Sequence, residues 1–171
     1  MRVADIMLED FDNEISNTRR TLERVPDELS DWKPHEKSMP FGKLAMHCAS
    51  LAQFGYYIME DDGMDLAAPT RPHVPLIWTT GADAVAQLNR SAALCRDSIA
   101  ASSDERLAAI FPFRFGEHVI SNHSRSLTFR NMCMNHLIHH TAQLGVYLRL
   151  NGIAVPGLYG PSADEPFERK S

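Results

Sequence analysis

The sequence predicts an all-α protein built as a four-helix bundle. Four long segments repeat their apolar residues at the spacing of a helix, and no segment alternates regularly enough to predict a ladder of strands. The 171 residues contain no internal repeat and no low-complexity linker. A chain of this length buries a core of its own, so we expect one domain over residues 1–171.

The first two helices are predicted from apolar stripes. The first ends before Pro26 and carries on one face Val3, Met7, Phe11, Thr18, Leu22 and Val25. The polar, proline-punctuated connection DELSDWKPHEKSMP follows it. Ser38 and Pro40 then open the second helix, which runs to about Asp61. Its stripe consists of Leu44, His47, Leu51, Phe54 and Ile58.

The third helix follows the loop DGMDLAAPTRPHVP, and its start resembles a capping box at Thr80-Gly-Ala-Asp83. Its aligned apolar residues are Val85, Leu88, Ala92, Cys95 and Ile99. Residues 103–126 are predicted mostly as loop. Within them, residues 107–110 either close the helix or form a turn, and FPFRFGE is a candidate for extended backbone.

The fourth helix is predicted from Ser126 to the stop signal Asn151-Gly152. It has no charged residue between Arg130 and Arg149, and a helix that is apolar all round is covered all round. One face therefore meets the bundle core. We expect the other to meet a second copy of the chain, with the alternative that the irregular tail, GIAVPGLYGPSADEPFERKS, covers it.

Composition narrows the functional classes. Lys and Arg number 17 against 22 Asp and Glu, a formal net charge of −5, and no basic run predicts a nucleic-acid partner. The apolar stretch 44–59 contains polar residues and is too short to span a membrane, and the acidic start lacks the apolar core of a signal peptide. Three separated cysteines suit reduced thiols, so we expect a cytoplasmic protein.

Histidines provide the main chemical signal. His136 and His140 stand one turn apart on the same side of the fourth helix, and His47 lies on the apolar stripe of the second. A shared divalent metal would give a polar partner to all three, whereas the alternative is that each is a hydrogen-bonded packing residue. His139 is predicted on the flank or at an interface. The remaining histidines fall in predicted loops: His35, His73, His118 and His123.

Several other sites are excluded by their missing motifs. Leu137 follows His136, so there is no HExxH metalloprotease motif. The sequence also lacks a Glu-x-x-His pair for a di-iron centre, a CxxC pair and a glycine-rich phosphate loop. Three neutral nitrogens would leave coordination positions of a metal open, as catalytic zinc sites do.

The segments WKPHEKSMPFGKLAMHCA and HLIHHTAQLGVYLRLNGIAVPGLYGPSADE resemble the DinB-like (DinB/YfiT) superfamily of bacterial metalloproteins. The resemblance covers nearly the whole chain in the order of its elements. It implies an up-down-down-up four-helix bundle, often dimeric, with zinc or nickel held by His47, His136 and His140. Members with an assigned activity include thiol-dependent S-transferases and a maleylpyruvate isomerase that uses low-molecular-weight thiols.

This resemblance implies a thiol S-transferase in which the metal ionises a thiol such as bacillithiol, mycothiol or glutathione. Alternatives are a hydrolase using metal-bound water, a non-catalytic metal or ligand binder, and a structural dimer that needs no metal. The sequence does not identify a general base. It also does not identify the native metal, the thiol or the electrophile. The residues expected to support the metal ligands are Gln143, Tyr147, Asn135 and His35.

Overall fold

The protein is mostly helical and carries one small three-stranded sheet. The computed structural model describes residues 1–71 and 77–167. The helices are α1 (Val3–Leu22), α2 (Phe41–Glu60), α3 (Gly81–Ala101), α4 (Asp104–Ala108), α5 (Arg125–Phe129) and α6 (Asn135–Leu150). A 3-10 turn, Asp27–Leu29, precedes α2, and the π-helical turn Arg130–Met134 joins α5 to α6.

The four long predicted helices are found close to their expected bounds. The third starts as expected, because the Thr80 hydroxyl accepts a hydrogen bond from the backbone N–H of Asp83 at 3.1 Å. The predicted fourth helix is α5, the π turn and α6 in continuous succession, ending at Leu150. The tail has no helix or strand between residues 151 and 167, in keeping with its predicted irregularity.

The mostly loop assignment of residues 103–126 is wrong. Strands β2 (Ile110–Phe115) and β3 (His118–Ser124) form an antiparallel hairpin, and β1 (Met64–Asp65) pairs with β2 in parallel. The hairpin closes over Gly116-Glu117, where Gly116 has φ 59°, a conformation that favours glycine. Because most of the side chains of β3 are exposed, its sequence lacks the alternation that reveals a half-buried strand.

The long helices pack with fixed relative directions. Residue numbers rise together in the contacts of α1 with α6 and of α2 with α3, whereas α1 runs opposite to α3 and α2 opposite to α6. The contacts that fix these directions are Thr18–Thr141, Asp10–Arg130, Gln53–Gln87, Glu60–Ser98, Arg19–Asn89, Asp12–Arg96, Phe41–Tyr147 and His47–His140.

The apolar interior lies between these helices and includes aromatic side chains from several of them. Phe11 of α1 packs on Phe129, with ring centroids 6.1 Å apart, and Phe41 of α2 packs on Tyr147 at 5.5 Å. All three cysteines are buried free thiols, as small core residues should be. Among the described residues, none of the helices is long and apolar enough for a membrane span.

The face of α6 turned away from α2 is partly covered by the chain itself. The Thr141 hydroxyl lies 3.0 Å from that of Thr18 on α1, and Leu148 is buried. The tail adds cover, since Val155 packs against Gly145. A narrower strip of α6, which includes Ala142 and Val146, remains exposed. Intrachain packing thus accounts for much of the apolar character of this helix.

Candidate metal centre

Three histidine side chains from two helices converge at one point. Their ligand nitrogens, from His47 on α2 and from His136 and His140 on α6, all lie within 4.8 Å of one another. Nε2 of His47 is 3.2 Å from Nε2 of His136. The ring centroids of His47 and His140 are 4.6 Å apart. The structure therefore brings together the three side chains that the sequence selected.

Local backbone features explain this convergence. Gly55 permits α2 to approach closely the π-helical turn that leads into α6, because a Cβ added there would lie 2.6 Å from Sγ of Cys133. The π-helical turn Arg130–Met134 ends directly before the segment that carries both histidines of α6. Such turns change the rotational setting of the residues that follow and often occur at functional sites.

The spacing of the nitrogens fits a divalent metal. Two nitrogens each bound at roughly 2.0–2.1 Å in a tetrahedral site lie about 3.3 Å apart. The 3.2 Å between the Nε2 atoms of His47 and His136 is close to that separation. The whole group needs only a small contraction, since its widest nitrogen separation is at most 4.8 Å. The three histidines could therefore hold a metal ion and leave coordination positions open.

Partial burial keeps these imidazoles neutral. The pKa of His47 is lowered from 6.5 to about 4, mainly by burial and in smaller part by electrostatic repulsion from His140, His136 and Lys43. Burial is also the main cause of the lowered pKa values of His136 and His140. Metal ligation requires the neutral imidazole, so protons compete weakly for this site at neutral pH.

Two of the three imidazoles are oriented by a hydrogen bond to a neighbouring oxygen. Nδ1 of His140 lies 2.7 Å from Oε1 of Gln143, and His136 donates to the carbonyl oxygen of Met132. A neutral ring that donates from one nitrogen presents a lone pair on the other. The Gln143 contact thus fixes the tautomer of His140 and leaves its Nε2 free for a metal.

The other side chains expected to support the ligands lie elsewhere. Tyr147 donates its hydroxyl to the carbonyl oxygen of Met39 at 3.1 Å and packs on Trp32. Asn135 is exposed and donates to Asn131. His35 lies in an exposed turn, where Nδ1 accepts from a backbone N–H two residues later. Of the four candidates, Gln143 alone hydrogen-bonds a member of the cluster, as far as the described residues show.

The remaining histidines divide among several environments. His139 is exposed beside His140, with ring centroids 4.8 Å apart, and is not part of the converging group. His118 and His123 lie in β3, so their predicted loop positions are wrong. His73 lies outside the described residues.

Lys43 is a charged neighbour of the site that the sequence reasoning missed. It lies on α2 one turn before His47, is exposed, and acts electrostatically on that ring. Its position in the first turn of a helix was a usable signal, because basic residues are disfavoured there.

Comparisons with known proteins agree with this architecture. The sequence matches the family model of the DinB superfamily over residues 10–144. A DinB-like protein from Bacillus subtilis has a similar fold, with a TM-score of 0.66 at 16% identity, covering 94% of this chain and 98% of that chain.

Two further crystal structures are similar. A DinB-like protein from Bacillus cereus ATCC 10987 gives a TM-score of 0.63 at 18% identity, over 89% of this chain and 95% of that chain. A conserved protein from Enterococcus faecalis gives 0.61 at 16% identity, over 87% and 96%. Among curated proteins, none matches the sequence. The family match covers most of the sequence and the fold agrees with it, so the chain belongs to the DinB superfamily.

Proposed function

We propose that this protein binds a divalent metal, zinc or nickel, through His47, His136 and His140, and uses it in thiol S-transfer. The convergence of the three ligand nitrogens within 4.8 Å is the observation that carries the proposal. Imidazole nitrogen suits both metals, and three protein ligands are typical of sites that keep a position for a small molecule.

The chain's own residues prepare the site for a thiol. When bound, the metal would supply positive charge that favours the thiolate form of a low-molecular-weight thiol. Gln143 and the Met132 carbonyl orient the rings of His140 and His136, and partial burial keeps the rings neutral. In the reaction the thiolate sulfur forms a bond to an electrophilic carbon while the bond from that carbon to its leaving group breaks. The leaving group departs with the bonding electron pair, and the thiol proton passes to solvent.

The ease of thiol ionisation, rather than the ligand set, favours thiol chemistry over the hydrolase alternative. Among residues 1–71 and 77–167, the metal-ligating group around this site consists of three histidines and includes no carboxylate. A hydrolase that activates metal-bound water commonly needs a general base to take the water proton. A thiol ionises far more easily than water and does not require one.

We also propose that the long helices form a single up-down-down-up bundle that dimerises in the cytoplasm. The shared directions of α1 with α6 and of α2 with α3 support this topology. The exposed, charge-free strip of α6 with Ala142 and Val146, together with Leu127 of α5, supports a symmetric dimer. The free buried cysteines support a reducing compartment.

The first experiment measures metal per chain by plasma mass spectrometry after reconstitution and dialysis. We expect about one metal per chain in the wild type, its loss in His140→Ala, and its retention in His139→Ala, the exposed neighbour. Loss of thiol in the presence of an electrophile, measured with the metal-loaded protein, then tests turnover. Equal metal content in wild type and His140→Ala would reject the three-histidine centre.

Metal binding without thiol consumption would instead support a non-catalytic binder. Sedimentation of the same samples tests the dimer. A monomer at micromolar concentration would reject the proposed interface along α6.

A further inference from the structure

The helical segments that carry the three histidines have few formal charges along the sequence. On α2 no charged residue occurs between Lys43 and Glu60, and none occurs between Arg130 and Arg149 on the α5–α6 segment. His47, His136 and His140 all fall within these neutral intervals. Lys43, four positions before His47, is therefore the formal charge nearest to the cluster along either helix.

The position of Lys43 is unfavourable for the helix itself. It lies in the first turn of α2, where the helix dipole favours acidic side chains, and that turn contains no acidic residue. The ion pairs formed within residues 1–71 and 77–167 do not include Lys43. A local rule broken without compensation within the fold often marks a functional position.

Helix geometry places this charge beside the metal centre. Residues four apart share a face of a helix, and helical side chains lean toward its N-terminus. The ring of His47 consequently lies over the turn that carries Lys43. Along α2, Lys43 falls between Phe41, which packs on Tyr147, and His47, which packs on His140. The lysine is exposed and free to meet a ligand.

Charge balance at the site then calls for more than one negative group. Three neutral imidazoles leave the double charge of a divalent metal uncompensated, and Lys43 adds a third positive charge. A thiolate compensates one of these charges. Lys43 remains to attract a second anionic group on the same molecule.

We infer that Lys43 determines specificity by binding a carboxylate on the small molecule that occupies the three-histidine site. This inference rests on the proposed function and narrows its substrate class to carboxylate-bearing thiols. The lysine forms a charge-assisted hydrogen bond to that carboxylate, while the thiol sulfur faces the metal position.

The test uses full-length protein loaded with cobalt(II), whose visible and sulfur-to-cobalt absorption bands report ligand binding. It is titrated with 3-mercaptopropionate and with 3-mercapto-1-propanol, which carries a hydroxyl in place of the carboxylate. We expect wild type to bind the carboxylate thiol ~10-fold more tightly, in line with one charge-assisted hydrogen bond. Lys43→Met should reduce this ratio to about 1, and Lys43→Glu should invert it. Lys37→Met, which alters an exposed lysine of the preceding loop, should leave the ratio unchanged.

The outcomes separate this inference from the proposed function. If both thiols bind with the same ratio in wild type and Lys43→Met, the thiol site stands and the role of Lys43 is overturned. If cobalt binds but neither thiol produces a sulfur-to-cobalt band, thiol chemistry fails. Titration with succinate against propionate then decides whether Lys43 selects a second carboxylate. Failure to bind cobalt overturns both proposals.

Discussion

The two ends of α2 bury polar groups in opposite ways. Toward its C-terminus, the guanidinium of Arg125 is buried and donates from one nitrogen to the carbonyl oxygens of Ile58, Met59 and Asp61. Toward its N-terminus, His47 faces two other imidazoles across a gap of 3.2 Å to the nearer one. Arg125 has carbonyl acceptors within the chain, whereas the ring of His47 mainly faces two other imidazoles.

The buried polar group at the C-terminal end of α2 thus stabilises the fold, whereas the imidazoles toward its N-terminal end form a candidate ligand site. The Arg125 guanidinium takes up the carbonyl oxygens at the end of α2, which would otherwise lack intrahelical partners. The imidazoles of the cluster gain little from one another, because burial opposes their charged forms and neutral rings pair weakly. A metal ion would satisfy all three rings, so this end of α2 is organised for a ligand from outside the chain.

The strongest test of the contrast replaces His47 with leucine. With metal at ~1,000 times its dissociation constant, the wild type should gain about 4 kcal/mol in free energy of unfolding, and His47→Leu should gain almost none. Without metal, the variant should be as stable as wild type, because an apolar side chain replaces a half-buried imidazole. Urea unfolding with and without zinc measures both values. Severe destabilisation of the metal-free variant would instead show that His47 stabilises the fold, as Arg125 does.

The reciprocal test changes the other end of α2. Arg125→Met should lower the free energy of unfolding by about 2–4 kcal/mol, because buried carbonyl oxygens lose their donor. Metal affinity should be unchanged, since Arg125 of α5 contacts the C-terminal end of α2, whereas His47 lies toward the N-terminal end. The matched control is Arg130→Met, which removes an exposed ion pair with Asp10 and should cost at most about 0.5 kcal/mol. A comparable cost for both variants would contradict the assigned role of Arg125.

A smaller effect is expected from the hydrogen bond that orients His140. Gln143→Leu should weaken metal binding by about 10–100-fold, because the ring loses the acceptor that fixes its tautomer. Gln143→Glu keeps an acceptor oxygen and should retain the affinity. Competition with a chromophoric chelator measures both dissociation constants. If leucine and glutamate have the same effect, the 2.7 Å contact does not orient the ligand.

The last test of the contrast is the pH dependence of metal-free stability. The pKa of His47 is lowered from 6.5 to about 4, so the unfolded chain binds more protons than the folded chain between those values. Stability should therefore fall as the pH decreases from about 6.5 toward 4, with the loss from this group complete below the lower value. Thermal unfolding in chelator at several pH values measures it. His47→Leu should flatten the slope, and an unchanged slope would assign it to other groups.

The sequence was sufficient to predict the long helices and to select the three histidines as candidate ligands. Helical spacing selected the stripes of α1, α2 and α3, and the i, i+4 spacing placed His136 and His140 on one side of a helix. The hairpin β2–β3 was missed, because β3 is mostly exposed on both faces and its residues do not alternate. The local signals for it were the turn residue Gly116 and the segment FPFRFGE, a candidate for extended backbone that lies largely in β2.

Single side chains near the site were harder to predict than the helices. Gln143 reaches His140 within one turn of the same helix, which its i+3 spacing allowed. Tyr147 has a similar position along the helix, yet it is committed to the carbonyl oxygen of Met39 across the interface with α2. Sequence spacing places a side chain on a face but does not decide which of several neighbours it will contact.

By itself, the sequence determined which residues share a helix face and which segments carry no charge, because both properties are local. The helix period sets the shared face, and the residues of the segment set its charge. It therefore placed His136 and His140 on one side of a helix. It also contained the isolated charge of Lys43, which the predictions did not use. Only the tertiary structure decided that α2 approaches the π-helical turn before α6 closely, at Gly55 and Cys133, and that His47 lies opposite the other two rings. That decision depends on packing between helices distant in sequence, and no periodicity within one helix encodes it.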